Sequence, residues 1–337
     1  MPASNSAARA SVSSGRTASA DGPADLAGLL TRVLAARSPL VPCERVSDWW
    51  PAWLAIVAEH ASPIARAVAG GAASDRAGWA FAAGYQASLR ALLREQPDPL
   101  PDDTMNVFCV SEKTGARPAD IQCRLEPAPG GYLLSGEKSW ATLGPAGNVL
   151  LVAARLPPHD AARPALRMVR VRGDAPGVTI TMVPPGSFLP EVPHARMRFE
   201  RVAIAADAML PGDGYEQYIK PFRTVEDIHV TAALLACALA EAGRRDWPAS
   251  WRERAAAALL SFGALSGMDP AKPLTQLALT GALVGSAALF AEATAWWQAM
   301  PDDPASQRWL RDARIFGTAS GVRQQRAVRA WERLAGG

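Results

Sequence analysis

The chain changes its hydrophobic period twice. Leu26, Leu29, Leu30, Val33 and Leu34 recur at helical spacing, and residues 24–95 read as helices. Ser62 before Pro63 has the form of an N-cap with proline in the first turn, and Gly70-Gly71 ends that short helix. Ser74 is expected to open a longer helix carrying Trp79, Ala82, Tyr85, Leu89 and Leu92 on one side, stopped by Pro97, Pro99 and Pro101. From Met105 onward apolar residues come in short runs bounded by Gly, Pro or Asp: 107–111, 121–125, 131–134, 149–153, 166–171, 178–182 and 196–204. These predict strands of an antiparallel sheet or barrel, with turns at Pro176-Gly177 and Pro185-Gly186. After Pro211-Gly212 the helical period returns over 224–242, 250–266, 274–300 and 304–334, with a break in the last near Gly317 and Gly321. Thr224-x-x-Asp227 has the form of a capping box for the first of these. The expected fold class is α+β. It comprises a disordered leader over 1–24, an N-terminal helical domain over 25–103, an antiparallel β-barrel over 104–207 and a C-terminal helical bundle over 208–337.

Composition narrows the class without naming it. With 337 residues, 49% hydrophobic and 20% charged, the chain is globular and long enough for two or three cores. The formal charge of +3 comes from scattered basic residues, so no nucleic-acid surface is expected. Cys43, Cys109, Cys123 and Cys237 are isolated and read as reduced thiols of a cytoplasmic protein; the four histidines are equally dispersed, and no metal site is expected. The most apolar run, Leu274 to Phe290, contains Thr275, Gln276, Thr280 and Ser286. It therefore reads as a helix of a soluble bundle rather than a membrane span, with Gly281 and Gly285 serving close packing. The first twenty residues are rich in Ala and Ser and lack the apolar centre of a secretory signal.

The candidate chemistry lies between Phe108 and Thr142. The stretch Phe108-Cys109-Val110-Ser111-Glu112 is followed by Gly115-Ala116-Arg117, a hairpin at Gly130-Gly131, and Gly136-Glu137-Lys138-Ser139-Trp140-Ala141-Thr142. Gly131 to Ser139 also has the outline of a phosphate loop. It carries one residue too many and lies in a strand hairpin instead of a strand–loop–helix unit. Taken singly, Trp140 reads as a core anchor and Ser111 as a solvated strand hydroxyl. As an ordered set they resemble the middle domain of the acyl-CoA dehydrogenase family, where a strand ending in Thr-Glu and a Gly-Ser-Asp turn precede Gly-x-Lys-x-Trp-Ile-Thr. Met197 to Ile204 with Met209-Leu210-Pro211-Gly212, and Leu310-Arg311-Asp312-Ala313-Arg314-Ile315, extend the likeness to roughly residues 107–329.

The resemblance implies a flavoprotein oxidoreductase acting on the CH–CH group of an acyl thioester, with FAD as cofactor and a role in fatty acid metabolism. It places Phe108, Val110, Ser111, Trp140 and Thr142 at the flavin ring. An aromatic wall with a few fixed donors suits such a ring. The chain also departs from the family. The turn residues Gly115-Ala116-Arg117 lack the serine, Leu259 stands where the Arg of Arg-x-x-Phe-Gly precedes Phe262-Gly263, and Gln-x-x-Gly-Gly has no match before Arg311. The dinucleotide side of an FAD site is therefore mostly missing. For the base that removes the α-proton, Val225-Glu226-Asp227 matches the Leu-Glu-Arg stretch of the isovaleryl-CoA and long-chain branches. The small Ser320 stands where other branches carry their glutamate. Glu226 is the expected base, although an acidic residue at a helix start has the same sequence signature. Asp227, in place of the usual arginine, is expected to repel an anionic thioester. Two functions stay open here: a compact, divergent dehydrogenase, which leaves a homo-oligomer open, or a non-catalytic scaffold or acyl-thioester-binding protein that has lost flavin and base.

Overall fold

The computed structural model describes residues 22–35, 40–159, 164–317 and 320–335; the leader expected over 1–24 lies outside them up to residue 21. The first layer holds α1 (Gly22–Ala35), α2 (Val46–Val57), α3 (Pro63–Ala73) and α4 (Ala77–Leu93). Ser62 caps α3 by accepting from the Ala65 amide at 3.3 Å, with Pro63 at the first position. Ser74 does not open α4. Its hydroxyl donates back to the Gly70 carbonyl at 2.7 Å and its backbone bridges to Val41, so the next helix begins only at Ala77.

The middle of the chain is a curled, seven-stranded sheet of β1 (Asn106–Cys109), β2 (Arg124–Ala128), β3 (Gly131–Thr142), β4 (Val149–Arg155), β5 (Leu166–Arg172), β6 (Val178–Val183) and β7 (His194–Ala205). The order is β1-β4-β2-β3-β7-β6, with β5 also on β4. The expected antiparallel barrel is corrected to a mixed sheet that curls part of the way round: β1 and β4 run parallel over four residue pairs, and β2 meets β4 parallel at Arg124 and Arg155. Alternating hydrophobicity carries no information about strand direction. The long connection from Cys109 to Val149, which contains the β2–β3 hairpin, is what permits the parallel crossover.

The sheet has two apolar faces. Val107, Cys109, Leu134, Ala141, Met197 and Phe199 fill the inside of the curl, whereas Val110, Leu143, Leu151 and Ala153 join the core of the helices. Strand β4 is buried on both faces, which explains its unbroken apolar run. Strand β1 has β4 on one side, and α4 covers its other edge. Gln86 donates to the Asn106 carbonyl at 2.7 Å and accepts from the Asn106 amide at 3.0 Å, while Tyr85 Oη accepts from the Phe108 amide at 2.8 Å. Two side chains of one helix turn thereby substitute for a neighbouring strand.

A single π-helical turn, Tyr215–Ile219, runs directly into α5 (Lys220–Arg244). It is followed by α6 (Ala249–Ser266) and α7 (Pro273–Gln298). The helix expected over 304–334 is divided into α8 (Pro304–Asp312), α9 (Arg314–Gly317) and α10 (Ser320–Ala335). By length and composition α7 could cross a membrane; here it packs on α5, α6 and α10. Helix α5 is the axis of the molecule, buried from Asp227 to Ala242. A β-carbon on Gly84 would stand 2.5 Å from Val230 Cα and 2.8 Å from the His229 carbonyl oxygen, so the hydrogen side chain sets the α4–α5 distance. Gly84→Ala should separate the helices and cost about 1–3 kcal/mol. Gly281→Ala, on α7 with open space around it, should stabilise by about 0.5–1 kcal/mol. Urea denaturation of the two variants checks the pair of opposite signs.

Candidate active site

A cavity of about 410 Å³ lies between the helix-facing side of β1, β3 and β7 and the helices α4, α5, α7, α9 and α10, within the usual range for small-molecule sites. Phe108, Val110, Ser111, Trp140, Thr142 and Glu226 all line it. The sheet wall is held by a buried ion pair. Lys138 has no solvent exposure; its ammonium donates to Glu112 Oε1 at 2.7 Å and to the Val110 carbonyl at 3.3 Å. The Glu112 carboxylate also accepts from the backbone amides of Gln122 (2.7 Å) and Cys123 (3.0 Å). The Ser139 amide donates to the Ser111 carbonyl at 2.8 Å, tying the end of the β1 segment to β3.

The β3–β7 register slips between Lys138 and Ala141, so two residues of β3 oppose one of β7. Strict alternation would put Lys138 and Ala141 on opposite faces. The bulge lets both point inward and turns Trp140 and Thr142 together toward the cavity. The Trp140 ring, half exposed, lies on the His194 imidazole with centroids 4.3 Å apart. Burial lowers the His194 pKa, so the ring against Trp140 is neutral at pH 7.

The helical wall comes from α5. Phe222, Glu226 and Val230 recur every fourth residue and share the face that lines the cavity. The expected capping box is not formed: Thr224 and Asp227 lie inside a helix that continues from the π-turn, and both are buried. Glu226 is therefore not a helix-start acid compensating a dipole. Among the described residues its carboxylate has no hydrogen bond, and the nearest cation is Arg223 at 3.7 Å. Burial, opposed by Arg223, pushes its pKa up to about 7.

Asp227 does not present a free negative charge. Its Oδ1 accepts from Arg323 at 2.8 and 3.1 Å, and its Oδ2 accepts from Arg326 at 2.6 Å. The repulsion expected from an aspartate after Glu226 is thus cancelled by α10, a partner more than ninety residues away in sequence. The Ser320 side chain, expected opposite Glu226, lies outside the described side chains.

The donor set fits the ring end of a flavin better than the dinucleotide end. Hydroxyls at Ser111 and Thr142, an indole at Trp140 and a phenyl at Phe108 line one cavity. Directly after the Glu112–Gly115 turn, the methyl group of Ala116 faces the cavity. No group of three or more His, Cys, Asp or Glu able to hold a metal occurs among the described residues. Sequence reasoning missed Tyr85, His194 and Arg323 as cavity residues. Tyr85 sits on a predicted apolar face, where a tyrosine reads as core; His194 and Arg323 carry no local signal.

Because the folded carboxyl of Glu226 titrates near 7 and an unfolded one near 4.5, folding takes up a proton between those values, and stability falls as pH rises through that window. Glu226→Gln should therefore raise the unfolding free energy from urea denaturation at pH 8, by up to about 3 kcal/mol, and change it little at pH 4.5. Lys138→Met, which strands the Glu112 carboxylate, should destabilise by about 3 kcal/mol at pH 7, read by the same measurement.

No protein-family model matches the chain. A stretch of 60 residues, 18% of the chain, is 35% identical to the 2-methylacyl-CoA dehydrogenase, mitochondrial, of Solanum tuberosum, and spans 15% of that protein. Among solved structures, butyryl-CoA dehydrogenase from Megasphaera elsdenii matches 92% of this chain and 98% of its own, with a TM-score of 0.70 and 16% identity. A chain of the electron transferring flavoprotein structure of Acidaminococcus fermentans matches 92% of this chain and 96% of its own (TM-score 0.68, 16% identity). Glutaryl-CoA dehydrogenase from Mycobacterium smegmatis, solved in complex with FADH2, matches 94% and 95% (TM-score 0.64, 15% identity). Identities this low speak for the fold alone. The order of helices, curled sheet and helices, with Ser111, Trp140 and Glu226 on one cavity between them, gives this chain the acyl-CoA dehydrogenase fold.

Proposed function

We propose that the protein is a flavin-dependent oxidoreductase acting on the CH–CH group of an acyl thioester, with Glu226 as its base. One observation carries this reading: five residues of the sheet wall and one carboxylate of α5, distant in sequence, converge on a single cavity. Phe108 and Trp140 would face the rings of FAD, and Ser111 and Thr142 would hydrogen-bond its polar edge. When bound, the flavin supplies a two-electron acceptor.

The chain's own residues do the remaining work. Glu226 receives the α-proton: it is desolvated, free of hydrogen-bonded partners among the described residues, and has a pKa near 7 that suits a general base. Phe222 and Val230, one turn to either side, flank the carboxylate with apolar surface. Asp227, neutralised by Arg323 and Arg326, does not oppose an anionic ligand, and the half-exposed Arg223 offers a cation beside the base. A scaffold that had lost its base is not favoured, since the cavity is open and carries a carboxylate with its pKa raised to about 7.

The test is spectroscopic. Purified protein incubated with FAD should take up flavin, weakly because the dinucleotide-side motifs are missing, and butyryl-CoA added without oxygen should bleach the visible flavin band. Glu226→Gln should retain flavin and slow bleaching by about 100-fold or more. A folded protein that takes up no flavin would overturn the proposal.

A further inference from the structure

Tyr85 is a buried cavity residue whose bonding is half complete among the described residues. Its side chain is buried, its oxygen accepts from the Phe108 amide at 2.8 Å, and its ring edge packs on Phe222 with centroids 6.2 Å apart. The phenolic hydrogen meets no acceptor among the described residues, although a buried hydroxyl ordinarily donates as well as accepts. Its position relative to Glu226 follows from helix packing. Tyr85 touches Phe222, one turn before Glu226, and its neighbour Gly84 abuts Val230, one turn after. Tyr85 thus stands over the turn that carries the carboxylate, too far for a direct hydrogen bond and close enough for the Glu226 charge to act on it. Burial, with that charge, keeps the phenol protonated.

Resting on the reading of Glu226 as the base, we propose that Tyr85 is a catalytic hydrogen-bond donor to the thioester carbonyl oxygen of the bound acyl group. The chemistry supplies the reason. When Glu226 takes the α-proton, the C–H electron pair moves into the α-carbon–carbonyl bond and negative charge grows on the carbonyl oxygen, two bonds from the carbon that lost the proton. A fixed donor near the base is placed for that charge. The proton ends on Glu226, no electron leaves the acyl group in this step, and Tyr85 donates without being deprotonated. The Phe108 amide holds the phenol oxygen, so donor direction is set before the ligand enters.

Other charged groups face the same space: Arg223 and Asp227 on α5, Arg323 on α10 and His194 on β7, while α7 contributes only apolar side chains and the Ser286 hydroxyl, which already donates to Ala282. None of them changes when Tyr85 becomes Phe, so a pH effect specific to that change reports the hydroxyl.

The probe is acetoacetyl-CoA, whose enolate absorbs in the ultraviolet, and the readout is the pH at which the bound probe is half enolate. Wild-type protein should bind it and lower that pH below the free value. Tyr85→Phe should raise the midpoint by about one to two pH units, the size expected for a hydrogen bond to a charged oxygen, while binding of the neutral probe changes less than about threefold. An unchanged midpoint in folded Tyr85→Phe overturns the role of Tyr85 and leaves Glu226 and the proposed function intact. Failure of wild-type protein to bind the probe instead overturns the acyl-thioester reading, and this inference with it. Should Tyr85→Phe not fold, 3-fluorotyrosine placed at position 85 keeps the Phe108 bond and is a stronger donor. It should lower the midpoint, and no shift again overturns the proposal.

Discussion

A lysine with no contact to water must have an anion beside it, and the wall of the cavity is arranged around meeting that demand. Lys138 reaches Glu112 and the Val110 carbonyl, so the end of the β1 segment and the middle of β3 cannot move independently. Ser111 lies between Val110 and Glu112, and Trp140 and Thr142 follow Lys138. Every sheet residue proposed to face a flavin is thus within a few positions of the ion pair or on the strand it anchors. Attraction between buried charges only offsets their desolvation, so the pair contributes geometry more than stability.

The same economy governs the helical side. Hydrogen side chains at Gly71 and Gly84 let α3 and α4 approach α5 closely, and α4 then hands Tyr85 and Gln86 to the open edge of β1. One helix therefore touches both walls. Glu226 is largely buried because its face of α5 lines the cavity, and Asp227 is tolerated one residue later because α10 supplies two guanidinium groups. Adjacent carboxylates on one helix acquire opposite roles from what lies across from each. One is fully paired; the other is left without a hydrogen-bonded partner, and its affinity for protons rises.

Much of this was written locally. The helix–strand–helix order, the seven strand positions and the set Phe108, Val110, Ser111, Trp140, Thr142 and Glu226 could be read because each depends on nearest-neighbour spacing or on a motif kept in order along the chain. The motif residues were legible in part for a structural reason: the Glu and Lys that flank Ser111 and Trp140 make the ion pair that the fold requires.

What escaped was everything set by distance. Strand direction escaped because alternation is the same for parallel and antiparallel neighbours, and the pairing of β1 with β4 is decided by where the connection over residues 110–148 returns. The capping reading of Thr224 and Asp227 was locally reasonable and failed because a π-turn carries the helix back to Lys220. Tyr85, His194 and Arg323 reached the cavity, and Arg326 reached Asp227, only through packing between elements that no short window contains. The amino-acid sequence by itself determined which segments are helix or strand and which residues could do chemistry, since both follow from side-chain type and spacing. Only the tertiary structure decided which of them meet, which charges cancel and which hydroxyls are left with a hydrogen to give, since burial and partnership are properties of contacts between distant parts of the chain.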